Sequence, residues 1–221
     1  MERQKSNIYN TVCNDIAKNI ITGKYNDGVF PTEMELSNYY SVSRNSIREA
    51  LKTLSSKGLL CSKQKSGTKV TPRSDWNFLD PQLYEWFSEL PEMSSVITKM
   101  LKMQGILIPE ACADAAINAT SEQRVHLSKN YQRLSYHLSH SPENNQQTKK
   151  ILGDYYKSIF IASNNELFSS YAKILDIIYS STGDDIGEGR CSKIENYQKL
   201  YNSIMVADED SARKAAKTLF Y

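Results

Sequence analysis

Within the stretch Val42-Ser-Arg-Asn-Ser-Ile-Arg-Glu-Ala-Leu-Lys-Thr-Leu54, Arg44, Arg48 and Lys52 recur every four residues, and Asn45 and Ser46 stand between the first two. Arginine and asparagine are the side chains that pair bidentately with guanine and adenine edges, while lysine and serine meet phosphate oxygens. Ser43 immediately before them suits an N-cap, its hydroxyl accepting from free N–H groups of the first turn. Ile47, Ala50, Leu51 and Leu54 follow at i, i+3, i+4, i+7 and predict an apolar rear face. Such a helix can present its leading turn to a DNA major groove, although the stretch by itself also reads as a surface helix with one basic face.

The neighbouring elements favour the first reading. Ile8, Val12, Ile16 and Ile20, widened by Ala17 and Ile21, predict a first helix that ends at Gly23. Thr32 and Glu35 have the spacing of a capping box, with Pro31 just outside, and predict a second, short helix finishing near Tyr40. Ser41-Val42-Ser43 then leaves the three or four residues expected inside a helix-turn-helix. Gly58 closes the third helix. Leu59–Ser62 and Thr68–Thr71 read as strands around the basic tip Lys63-Gln-Lys-Ser-Gly67, in which Lys65, Ser66 and Gly67 could approach a minor groove or its flanking phosphates. The expected fold is therefore mostly α, with an N-terminal winged helix-turn-helix at residues 1–72 that carries a small β-hairpin wing.

Charge divides along the same line. Through Ser74 there are 12 Lys and Arg against 6 Asp and Glu, and beyond it 15 against 19, which suggests a nucleic-acid reader joined to something else. With 221 residues, 40% hydrophobic content and no long apolar run, the chain reads as a cytoplasmic protein of one large or two ordinary domains, with no membrane partner. Cys13, Cys61, Cys112 and Cys191 are widely separated, so neither a zinc ribbon nor a disulfide framework is indicated.

Pro72 to Pro81 brackets an extended piece, read as a linker over residues 73–81, and Asp80-Pro81 suits the start of the next helix. Trp76 and Trp86 are expected to pack this linker onto a second domain. From Met93 onward the patterning is helical. Gly105 and Pro109 are expected to bend or divide the first long helix, Thr120 and Gln123 to cap the next, and Glu166 to Ser180 to form a single helix. Residues 82–221 thus predict an all-α antiparallel bundle. Enzyme motifs are absent. His126, His137 and His140 occupy one helix and its exit, the last two reading as a solvated pair, and Asp184, Asp185 and Glu188 lie in a glycine-rich loop without EF-hand order.

Gly28-x-Phe30-Pro31-Thr32-Glu33, Val42-Ser-Arg-Asn-Ser-Ile-Arg-Glu-Ala-Leu51 and Gly67-Thr-Lys-Val70, in that order, resemble the GntR family of bacterial transcriptional regulators. The resemblance implies that Ser43, Arg44, Asn45, Ser46 and Arg48, with Thr32 and Glu33 from the second helix, face operator DNA, and that Lys65, Ser66 and Gly67 enter the minor groove. Met34 stands where many members carry arginine. The stretch from Ser74 to Trp86 resembles the branch with a C-terminal FCD domain, as do Ala115-Ala116-x-x-Ala119-Thr120, Ala162-Ser-Asn-Asn165 and Asn196-Tyr-Gln-Lys-Leu. Where metal-binding members of that branch hold Asp and His ligands, this chain has Leu152, Tyr156, Tyr197 and a position near Leu219, so neither a metal nor another cofactor is expected.

Tyr156, Asn165, Tyr197 and Tyr201 are the candidate lining of an effector pocket, phenols being able to hydrogen-bond a small metabolite or simply to fill the space. By resemblance the effector would be a sugar acid, although no arginine stands near Gly105 to bind its carboxylate. The expected protein is a homodimeric DNA-binding regulator, a repressor of a metabolic operon that reads a palindrome on double-stranded DNA and is not an enzyme. A ligand-blind dimer controlled by occupancy or by a protein partner, and a small-molecule enzyme or carrier, are the alternatives.

Overall fold

Thr32 makes the first sharp decision in the chain. Its backbone N–H donates to Glu35 Oε2 at 2.7 Å while its hydroxyl accepts from the Glu35 N–H at 3.3 Å, a reciprocal box that starts α2 (Glu33–Tyr40). The helix stops at Ser41, which adopts a left-handed conformation at φ 54°. Two residues later Ser43 caps α3 (Arg44–Ser56) by accepting from the Ser46 N–H at 3.1 Å. The computed structural model describes residues 2–25, 30–63, 67–88, 90–141, 145–181 and 193–220.

Ile47, Ala50, Leu51 and Leu54 of α3 are all buried, as their spacing predicts, and α3 packs on α1 (Glu2–Ile21), whose Val12, Cys13, Ile16, Ala17 and Ile20 are buried as well. Strands β1 (Leu60–Lys63) and β2 (Gly67–Val70) pair antiparallel, with Leu60 opposite Val70 and Lys63 opposite Gly67. Gly67 has φ +72°, a left-handed value that suits glycine at the end of the wing tip. The tip residues Lys65 and Ser66 lie outside the described residues.

The segment after the wing, read from the sequence as a linker, packs within the N-terminal compact unit, Met1–Met93; the remaining unit is Ser94–Tyr221. Trp76 donates from Nε1 to the Thr71 carbonyl at 3.3 Å, and Trp86, on α4 (Pro81–Phe87), donates to Asn14 Oδ1 of α1 at 2.8 Å. Both indole N–H groups are therefore satisfied within the first unit. Arg73 lies over the rings of Trp76, Phe78 and Phe87, 5.1–5.8 Å from their centroids. Gly58, at φ +82°, is required here: a Cβ on it would overlap the Asp75 carbonyl. The apolar stripe Leu83, Trp86, Phe87 is plain in the sequence, but a stripe does not reveal which neighbour covers it.

The second unit is helical throughout its described residues: α5 (Glu92–Asn118), α6 (Ser121–His140), α7 (Asn145–Ala162), α8 (Glu166–Ala172), α9 (Leu175–Ser181), α10 (Ile194–Met205) and α11 (Glu209–Lys217). Helix α6 packs on α7 and α10, α7 on α8 and α9, and α10 on α11. Helix α5 runs unbroken through Gly105 and Pro109. Conversely, the single helix expected from Glu166 to Ser180 divides, because Lys173 and Ile174 donate to carbonyls three residues back, Ser170 and Tyr171. Arg124 fastens helix ends together, donating to the carbonyls of Ala116, Ala119 and Ile204 at 2.7, 3.3 and 2.5 Å. His137 is buried, its Nε2 2.7 Å from Thr148 Oγ1, while His140 is exposed and stacks on Tyr136; the two are not a solvated pair.

Candidate nucleic-acid interface

The first turn of α3 is open to solvent. Ser43, Arg44 and Asn45 are exposed, and Ser46 is half-buried with its hydroxyl 2.8 Å from that of Ser43. These groups occupy the leading turn while the rear face is locked into the core, so the backbone beneath them is rigid and the polar atoms project outward. Fixed scaffolds with free tips are what base reading requires. Lys52, the third member of the cationic series, is engaged at 2.8 Å by Glu49.

Arg48 and Glu33 meet across the turn. Arg48 Nη2 is 2.9 Å from Glu33 Oε2 and its Nε is 3.3 Å from Oε1, a two-point grip between α3 and the first residue of α2. Hydrogen bonding to Arg48 holds the Glu33 carboxyl below its usual range, and the charges of Arg48 and Arg44 act in the same direction. The carboxylate stays ionised and the guanidinium charged. Thr32 contributes its capping role to the same edge, and Met34 beside it is exposed. Sequence reasoning found these residues individually, but their 15-residue separation hides the pairing.

In the second unit, Tyr156 and Tyr197 come together. They share a hydrogen bond, both are buried, and Tyr155 meets Tyr197 edge-on at 6.1 Å. Tyr156 also lies against Tyr179 and Phe220. Tyr201 sits further along, its ring stacked 4.1 Å from Tyr131 and its hydroxyl 2.7 Å from Ser128 Oγ. Asn165 serves the backbone instead, its Oδ1 capping α8 by accepting from the N–H groups of Leu167 and Phe168. Among the described residues of this unit, the buried Tyr155 hydroxyl and Gln104 Oε1 have no hydrogen-bond partner, although Gln104 Nε2 donates to the Tyr179 hydroxyl at 2.5 Å.

A divalent ion does not fit this donor set. Leu152 and Leu219 offer no donor, and burial pushes the Tyr156 phenol well above its ordinary pKa, so it remains neutral. Among the described residues no three His, Cys, Asp or Glu side chains gather, and no helix is long and apolar enough to cross a membrane.

A winged helix-turn-helix with an exposed cationic leading turn, followed by a helical unit, defines a DNA-binding transcriptional regulator. Residues 8–70 match the model of bacterial regulatory proteins of the gntR family. The uncharacterized HTH-type transcriptional regulator YieP of Escherichia coli (strain K12) is 32% identical over 97% of this chain and 93% of that protein. The chain belongs to the GntR family. The galactonate operon transcriptional repressor of the same organism is 26% identical over 92% of this chain and 90% of its own length. Among solved structures, Streptococcus agalactiae GntR superposes with a TM-score of 0.51 at 17% identity, covering 96% of each chain. Lar, which controls the expression of the Listeria monocytogenes agr system, gives 0.54 at 17% identity over 96% of this chain and 92% of that one. These two show a shared fold across both units. The relatives are regulators rather than enzymes.

Proposed function

We propose that the chain is a cytoplasmic homodimeric repressor of a metabolic operon. Its paired winged-helix units read a palindromic operator, and a small metabolite bound in the FCD-like helical unit lowers the affinity. The observation that carries the DNA half is the exposed Ser43-Arg44-Asn45-Ser46 turn on a helix whose opposite face is wholly buried. Arg48, Thr32 and Glu33 complete this face, with the wing residues Lys65, Ser66 and Gly67 on the minor-groove side. A two-fold dimer is the natural reader because one short helix discriminates too few base pairs.

The effector half draws support from the buried Tyr155 hydroxyl and Gln104 Oε1, which have no hydrogen-bond partner among the described residues, and from the similarity to a galactonate operon repressor. A sugar acid is the class to try first. The rings of Tyr179 and Phe220 against Tyr156 favour a second reading, in which aromatic side chains fill this interior and a ligand-blind dimer acts by occupancy.

The test begins with duplexes selected from a random library by the native protein. Joint Arg44→Ala and Arg48→Ala substitution should abolish specific binding and reduce its salt dependence; undiminished binding would overturn the DNA half. Galactonate and related aldonates are then titrated into the complex. Release supports the effector half, and unchanged affinity throughout the series favours the ligand-blind dimer.

A further inference from the structure

We propose that Glu33 is a positioning residue for sequence reading: it grips one edge of the Arg48 guanidinium so that the free end of Arg48 meets a guanine, and it does not itself bind DNA. This rests on the reading of α3 as the recognition helix. A carboxylate on a face that approaches phosphates is repelled by them, so its presence calls for a reason. The reason is geometric. The guanidinium has five N–H donors in a rigid fork, and Glu33 engages Nε and Nη2, along one side. One N–H on Nη2 and both on Nη1 remain. Those two nitrogens form the end-on pair of the fork, the arrangement that spans guanine O6 and N7.

The grip changes what Arg48 contributes. An unpaired arginine wags among many rotamers and settles on whichever phosphate is nearest. Held by Glu33, Arg48 is ordered before DNA arrives, and its charge is offset by the carboxylate beside it. The pair therefore adds little to the salt-dependent attraction for any duplex and more to discrimination between duplexes. Arg44, in the same turn as Ser46, has no ion-pair partner among the described residues and retains a full charge for that general attraction. The two arginines thus divide the work.

The experiment measures binding of the full chain to its library-selected duplex and to a shuffled duplex of the same composition, over a salt series. The native protein is compared with Glu33→Gln, Arg48→Ala, their double substitution, and Arg44→Ala. Glu33→Gln should reduce the ratio of selected to shuffled affinity about tenfold, the order expected when one bidentate base contact loses its alignment. It should also strengthen binding to the shuffled duplex and steepen the log–log salt slope by about one, since one cation is released from its partner. In the Arg48→Ala background, Glu33→Gln should leave the affinity ratio unchanged.

An equal loss of ratio with and without Arg48 would mean that Glu33 accepts from a cytosine amino group directly, overturning the positioning role. An unchanged ratio in Glu33→Gln, with Arg44→Ala still impaired, overturns the proposal alone. If Arg44→Ala binds normally, or no preferred duplex emerges from the library, the recognition-helix reading falls and the proposal with it. Both members of the pair are substantially exposed, so thermal melting should stay at the native value and confirm that the changes act on reading rather than folding.

Discussion

Lys57 and Asp80 form an ion pair at 2.6 Å with their side chains only 19% and 20% exposed. The contact joins the residue after α3 to the N-cap of α4. The backbone repeats the link, Asn77 N–H donating to the Lys57 carbonyl at 2.9 Å. The stretch between the wing and α4 is therefore a strap fastened to the end of α3.

Asp80→Ala should destabilise the first unit by about 2–3 kcal/mol, because it strands a poorly solvated ammonium and removes the cap that accepts from the Gln82 N–H. Lys57→Met, which retains the packing stem, should cost less. Chemical denaturation of the full chain monitored by tryptophan fluorescence would measure both; equal effects would show that the cap adds nothing.

Gly58→Ala combines a left-handed backbone position with overlap of the Asp75 carbonyl, and should cost at least about 2 kcal/mol. The Asp75 backbone must shift, so loosening should extend to Trp76. Wild-type stability in this variant, measured by thermal melting, would mean that the strap does not seat as described.

Tyr155→Phe should raise stability by about 1 kcal/mol when no effector is present, since it removes a buried hydroxyl that has no partner. A fall in stability would instead reveal an ordered occupant. In the same unit Arg124→Ala should cost about 2 kcal/mol by releasing the carbonyls of Ala116, Ala119 and Ile204.

Stability should fall above about pH 9. Burial raises the Cys13 thiol to about 11 and pushes the Tyr84, Tyr155 and Tyr156 phenols upward as well. The unfolded chain loses these protons first, so above the unfolded pKa it binds fewer protons than the native state, and rising pH favours unfolding. The Cys13 contribution is complete below about pH 9 and is lost on passing through about 11. The phenols add to the loss above about pH 10, at up to about 1.4 kcal/mol per unit for each group in its titrating range. Unfolding midpoints measured at about pH 8, 9.5 and 10.5 would show the decline steepening; a flat profile would contradict the burial.

The DNA-facing half was largely legible in the chain. Thr32 with Glu35, Ser43 with Ser46 and the Ile47–Leu54 spacing all act within a few residues, where helix geometry dictates which groups meet. The helical half was less so. His137, read as solvated, is buried against Thr148; Asn165, read as pocket-lining, caps α8; and the helix expected from Glu166 to Ser180 divides. A histidine near a polar loop and an asparagine before a glutamate carry no local mark of what will cover them.

Local order in the first unit, then, was determined by the sequence alone: the helices α2 and α3, the caps at Thr32 and Ser43, and the polar side of α3, because short-range sterics and hydrogen bonds suffice for each. Tertiary structure decided the partnerships. It turned a nominal linker into a strap on the DNA unit, set the Tyr155 hydroxyl in the interior without a partner, and placed Glu33 against Arg48. Each depends on the approach of residues distant in the chain, and side-chain burial and charge pairing arise only from that approach.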